Sequence, residues 1–134
     1  MQAKKPTVAD YMTRSPHSIG FDRPISRAQE LMSEQRIRHL PVLSGGRLVG
    51  LLSERDVAFA EGLRELNPRP LRVEEVMTPI PYAVAPDTPL VKVAREMFEH
   101  LYGSAVVIED GHVIGVFTTT DALRALTDAL EAKG

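Results

Sequence analysis

Residues 50–57 read GLLSERDV and residues 115–122 read GVFTTTDA. Both have a glycine, two apolar residues, a hydroxyl residue, two variable residues, an aspartate and an apolar residue. Their aspartates, Asp56 and Asp121, lie 65 positions apart (121 − 56). That offset holds along the chain without a gap. It pairs Val8 with Val73, Met12-Thr13 with Met77-Thr78, Pro16 with Pro81, Asp22 with Asp87 and Pro24 with Pro89. It also pairs Met32 with Met97, Val42 with Val107, Gly46 with Gly111 and Gly50 with Gly115. One register kept over 8–58 and 73–123 is a duplication, and it constrains the fold more than any other feature.

Each copy reads the same way. Thr7–Met12 is a short helical turn opened by Thr7, and His17–Ile19 is a short strand. Pro24 opens a helix, where a missing N–H costs nothing. That helix carries Ile25, Ala28, Leu31, Met32 and Gln35 at helical spacing. Arg38–Leu43 is a strand, 44–47 a tight turn and Leu48–Leu52 the returning strand of a hairpin. Ser53 caps a helix running to about Leu63. The second copy gives Tyr82–Val84, a helix over Pro89–His100, strands Ser104–Ile108 and Val113–Phe117, and a helix from Thr118. The predicted organisation is a tail over 1–7, repeat 1 over 8–61, a linker over 62–72, repeat 2 over 73–127 and a helix end over 128–134. The linker is marked by LNPRPLR. The fold class is α+β, two β-α-β-β-α units.

Composition narrows the function. The 134 residues suffice for one compact module but not for two ordinary domains. The formal net charge of −2 gives no electrostatic argument for nucleic acid or an anionic membrane. Apolar runs such as Ala105–Ile108 are far too short to span a bilayer. MQAKKPTVAD has no apolar core or cleavage site, so a cytoplasmic location is expected. The absence of cysteine excludes disulfides, thiolate zinc sites and a cysteine nucleophile. His17, His39, His100 and His112 show no paired metal spacing with carboxylates, so no metal is expected. Neither a Gly-x-Ser-x-Gly elbow nor a Gly-Lys-[Ser/Thr] phosphate loop occurs, and no catalytic residue is assigned. Met12, Met32, Met77 and Met97 recur at matched positions and read as core or interface.

VADYMT…PISRAQELMSEQRIRHLPVLSGGRLVGLLSERDV resembles a cystathionine-β-synthase (CBS) domain, and VEEVMT…TPLVKVAREMFEHLYGSAVVIEDGHVIGVFTTTDAL resembles a second. The resemblance covers nearly the whole chain, through five short motifs that occur in order, twice. It implies a Bateman module: two repeats packed as a pseudo-twofold pair through their sheets. It also implies adenosyl ligands (AMP, ADP, ATP or S-adenosylmethionine) bound in clefts between the repeats, with no cofactor required. Such a module regulates something else and is not itself an enzyme. The effector is then a separate protein. A homodimer is expected, and Leu123, Leu126 and Leu130 offer a face for it.

Two readings of the repeated motif stand side by side. Ser/Thr-x-x-Asp ahead of an apolar helix is a capping box, sufficient without any ligand. A helix start with free amides, a hydroxyl and an aspartate also suits ribose and phosphate oxygens. The resemblance implies Asp56 and Asp121 on ribose, assisted by Ser53 and Thr118. Arg38, His39 and Arg55, with Arg36 nearby, are candidates for phosphate in the first copy. Equally, the arginines are solvated surface and His39 a packed strand residue. The second copy has Gly103, Ser104 and Ala105 for Arg38, His39 and Leu40, and Thr119 and Thr120 for Glu54 and Arg55. An apolar wall for adenine falls on Ile19, Leu40 and Leu52, and on Val84, Ala105 and Phe117, all of them core residues first. The rival function is a structural or interaction dimer module that has lost nucleotide binding.

Overall fold

The computed structural model describes residues 5–14, 16–66 and 69–133. Asn67 and Pro68 of the expected linker, most of the expected tail and the final Gly134 lie outside the described residues. In chain order the elements are a 3-10 turn Val8–Asp10, β1 (Thr13–Arg14), β2 (Ile19–Gly20), α1 (Ile25–Gln35), β3 (His39–Ser44), β4 (Arg47–Ser53) and α2 (Glu54–Leu63). There follow α3 (Val73–Val76), β5 (Thr78–Pro79), β6 (Ala83–Val84), α4 (Leu90–His100), β7 (Ser104–Glu109), β8 (His112–Thr118) and α5 (Thr119–Lys133). Each copy has the expected β-α-β-β-α order preceded by one short strand that the sequence reading did not give, β1 in the first copy and β5 in the second; the ends of the expected elements fall within about two residues of that reading.

The chain divides into two compact units, but not where the repeats divide. One unit is His17–Pro81; the other joins the residues up to Pro16 to those from Tyr82 onward. We call them the amino-terminal and carboxy-terminal units. The leading segment of each repeat therefore belongs to the other copy's unit. In the amino-terminal unit the sheet order is β2-β3-β4-β5, and in the carboxy-terminal unit β1-β8-β7-β6. Thr78 and Pro79 pair with Leu51 and Gly50, as Thr13 and Arg14 pair with Val116 and Gly115. The straps leading into these edge strands use matched backbone bonds. Ile25, Val73 and Glu74 amides donate to the carbonyls of Leu71, Arg23 and Phe21. Their counterparts, Leu90, Val8 and Ala9, donate to Pro6, Thr88 and Pro86.

Local chemistry explains the hairpins. Gly45 and Gly46 take φ of 57° and 82°, and Asp110 and Gly111 take 52° and 79°. Two consecutive left-handed residues make the turn whose twist matches antiparallel strands, which favours Gly and Asp there. Both hairpins carry a register irregularity at one matched place, Val42/Leu43 and Val107/Ile108. Helices α1 and α4 stop at Arg36 and Leu101, both left-handed, with φ of 54° and 58°.

Each unit has its own core. Ile19, Ile25, Ala28, Met32, Leu40, Val42, Leu52 and Val57 cluster in the amino-terminal unit. Val8, Met12, Leu90, Val93, Met97, Ala105, Val107 and Phe117 do so in the carboxy-terminal unit. The straps give the motif glycines their reason. A Cβ on Gly50 would collide with Met77 Sδ and stand 3.0 Å from the Thr78 carbonyl oxygen. A Cβ on Gly115 would meet Met12 Sδ and stand 3.0 Å from the Thr13 carbonyl oxygen. The matched methionines and the matched glycines are thus two sides of one contact.

Candidate functional site

In each unit the hairpin's second strand ends where a helix begins, and the repeated motif sits at that junction. In the amino-terminal unit the Ser53 amide donates to Asp56 Oδ2 at 3.1 Å, and the Asp56 amide donates to Ser53 Oγ at 3.1 Å. This is the reciprocal box expected from Ser-x-x-Asp. Both residues are half-buried. His39 is the cross-strand partner of Ser53, and the Glu54 amide donates to the Arg38 carbonyl at 2.8 Å. Arg38, His39, Ser53, Arg55 and Asp56 are therefore brought to one end of one sheet. The Arg38 side chain is 79% exposed, with Nε 3.9 Å from Glu54 Oε2, too loose and solvated a pair to immobilise it. Arg36 and Arg55 are exposed as well.

Burial pushes the His39 imidazole below its ordinary value, an effect Asp56 partly offsets. An unfolded histidine titrates near about 6.5. As pH falls through that value the unfolded chain binds the proton first, so the folded state loses stability. Chemical denaturation from pH 7.5 down to 5 is expected to show this decline, and His39→Gln is expected to lack that part of it. An unchanged slope in the variant would mean that His39 is not desolvated.

The carboxy-terminal junction differs in detail. The Thr118 amide donates to Asp121 Oδ2 at 2.9 Å, and the Thr118 hydroxyl donates to the same oxygen at 3.3 Å. Asp121 is buried at 8% exposure, and its Oδ1 lies 3.5 Å from Arg124 Nη2. Arg124 in turn donates to the Tyr11 carbonyl at 2.6 Å and lies over the Tyr11 ring. Thr119 and Thr120 are exposed on the first turn of α5. Ser104 is the cross-strand partner of Thr118.

The expected adenine wall lies mostly in the cores. Leu40, Leu52, Ala105 and Phe117 have no exposed surface and Ile19 very little; Val84 is half-buried. Two features escaped the sequence reading. Tyr82 and Tyr102 stack with ring centroids 5.2 Å apart, and the His100 ring stacks on Tyr102 at 5.2 Å. Aromatic rings at 82, 100 and 102 were the available signal, but their meeting needs β6 beside β7. One expectation is corrected. His100 does have carboxylates at ligand spacing, since donor atoms of Glu96, Glu99 and His100 lie within 4.8 Å of one another. One helix turn brings them together, and the Glu96–His100 pair at 3.2 Å accounts for the proximity. A shallow depression lined by Pro6, Asp10, Tyr11, Arg124 and Asp128 contains none of the expected site residues. Among the described residues, no helix is long and apolar enough to cross a membrane.

Two strand-to-helix junctions on duplicated, strap-completed sheets define a paired-repeat module. The family model of the CBS domain matches residues 8–62 and 73–128, and the chain belongs to that family. The CBS-pair protein CBSX2 from Arabidopsis thaliana is 30% identical, with a TM-score of 0.79 over 97% of this chain and 98% of that one. CBSX2 has also been solved in complex with AMP, a structure 31% identical over 96% of this chain, with a TM-score of 0.77 over 98% of that one. An inosine-5'-monophosphate dehydrogenase of Korarchaeum cryptofilum is 36% identical over 85% of this chain and 22% of its own length. A homoserine O-acetyltransferase of Methanococcoides burtonii is 30% identical over 90% and 24%. The chain thus spans about a quarter of these two enzymes' lengths.

Proposed function

We propose that this chain is a regulatory module that binds an adenosyl ligand (AMP, ADP, ATP or S-adenosylmethionine) and signals to a separate effector protein. It has no catalytic role of its own. The observation that carries this reading is the junction repeated in both units, where a helix start and an aspartate carboxylate meet the end of a hairpin. In the amino-terminal unit three exposed arginines stand in or beside that junction. Helix-start amides and arginines suit phosphate, and a carboxylate suits ribose hydroxyls. Asp56 with Ser53, and Asp121 with Thr118, take the ribose. Arg38, His39 and Arg55 take phosphate. The AMP complex of CBSX2 supports the ligand class. Signalling requires that ligand bind two arrangements of the module with different affinity.

Titration calorimetry with AMP, ADP, ATP and S-adenosylmethionine tests this. Saturable heat from at least one of them is expected. No heat from any at millimolar concentration would overturn the reading in favour of an interaction module without nucleotide.

The module is proposed to work as a homodimer. Leu123, Leu126 and Leu130 of α5 remain 63%, 53% and 62% exposed, a stripe at three-to-four spacing left open in the single chain. Light scattering is expected to give twice the chain mass, and Leu126→Glu to give the monomer. A monomeric wild-type protein would remove this part of the proposal.

A further inference from the structure

The carboxylate of Asp121 is largely used up by its own chain. Its two oxygens offer about four acceptor sites. The Thr118 amide and the Thr118 hydroxyl take two of them, both on Oδ2, and Arg124 Nη2 lies 3.5 Å from Oδ1. The two hydroxyls of a ribose cannot both be accepted unless one of these partners yields. The Thr118 bonds belong to the cap of α5. Arg124 makes the longest of the three contacts, and its side chain is 58% exposed, so water takes it up at little cost. Arg124 is the partner that yields.

Arg124 has a second task. Its Nη2 donates to the Tyr11 carbonyl at 2.6 Å, and its guanidinium lies 5.5 Å from the centre of the Tyr11 ring. The Tyr11 phenol donates to Asp128 Oδ2 at 2.6 Å. Tyr11 stands on the strap between the Val8–Asp10 turn and β1. One turn of α5 therefore grips that strap at two points. The duplicate has no such grip, because Tyr11, Arg124 and Asp128 correspond to Val76, Phe59 and Leu63 at the 65-residue offset. The strap of the amino-terminal unit still seats, with Met77 against Gly50. The fold itself does not call for the polar network.

We propose that Arg124 couples the carboxy-terminal junction to the strap: ribose and Arg124 compete for Asp121, so ligand bound there frees Arg124 and loosens its hold on Tyr11. This rests on the adenosyl-binding reading above. It supplies two arrangements that a ligand can tell apart. In one, Asp121 fixes Arg124 and the strap is gripped twice. In the other, Asp121 holds ligand and the grip is reduced to the Tyr11–Asp128 bond. Arg124 is a positioning residue, since it acts through Asp121. Coupling is reciprocal, so removing the Arg124–Asp121 pair favours the ligand.

The test uses wild type, Arg124→Gln and Tyr11→Phe. AMP, ADP, ATP and S-adenosylmethionine are each titrated by calorimetry, and hydrogen exchange over residues 8–14 is followed with the tightest of them. Arg124→Gln is expected to bind that ligand about fivefold tighter or more, although it has lost a cation. Tyr11→Phe keeps the Asp121–Arg124 pair, so it should speed strap exchange and leave affinity unchanged. In wild type the ligand should speed strap exchange about fivefold, and in Arg124→Gln exchange should be fast already and indifferent to ligand. Unchanged or weaker binding by Arg124→Gln, equal tightening in Tyr11→Phe, or wild-type strap exchange that ligand slows or leaves alone would overturn the inference alone. No heat from any of the four ligands on any of the three proteins would overturn the parent reading with it.

Discussion

Gly115→Ala is expected to destabilise the protein by about 1–3 kcal/mol, the usual cost of overpacking a filled site. Alanine normally gains about 0.4–1 kcal/mol over glycine by restricting the unfolded chain, so a loss has to come from sterics. The sterics are specific. The new methyl would collide with Met12 Sδ and sit 3.0 Å from the Thr13 carbonyl oxygen. The thioether can swing away, but the carbonyl belongs to the β1 strap paired to β8 and moves only if that pairing loosens. Met12 is also part of the core, at 6% exposure, so Met12→Ala alone should cost about 2–5 kcal/mol. The double variant should be less unstable than the sum of the two singles, with a coupling of about 0.5–3 kcal/mol, because removing the thioether relieves part of the clash. Urea denaturation of the four proteins measures this. A Gly115→Ala protein as stable as wild type would show that the strap is not seated on the glycine.

Asp56→Ala separates the two roles that the motif combines. As a cap, the Asp56 carboxylate binds the Ser53 amide, and its loss should lower stability by about 0.5–2 kcal/mol. As a ribose anchor, its loss should also lower nucleotide affinity about tenfold or more, since a hydrogen bond to a charged group contributes about 1.5–3 kcal/mol. Denaturation and calorimetry on the same preparation read the two effects independently. Lower stability with unchanged affinity would leave Asp56 a cap and nothing more. Asp56→Asn is the finer probe: it keeps the size and an oxygen acceptor but removes the charge, so it should retain more of the stability than of the affinity.

Much of each unit was legible because its signals are local. Periodicity placed α1 and α4, paired glycine or Asp-Gly residues placed the hairpin turns, and Ser53-x-x-Asp56 placed the start of α2. The adenine wall was harder to read. Leu40, Leu52, Ala105 and Phe117 are apolar in sequence whether they face a ligand or a core, and only burial tells the two apart. Ser104 was visible as a replacement for His39. That its hydroxyl is buried and unpaired depends on the register of β7 against β8, which residue types do not specify.

The offset of 65 by itself determined that the chain folds as two alike units, with a capped helix following a hairpin in each. The physical reason is that hydrophobic period, turn residues and caps act over a few positions and are copied when the sequence is copied. Only the tertiary structure decided which segment completes which unit. Residues up to Pro16 join the second repeat's sheet, and residues 73–79 join the first repeat's. Edge strands of two residues carry no local preference for one sheet over its duplicate. In the folded chain each strap is held by non-local packing, the Met12 thioether against Gly115 and the Met77 thioether against Gly50.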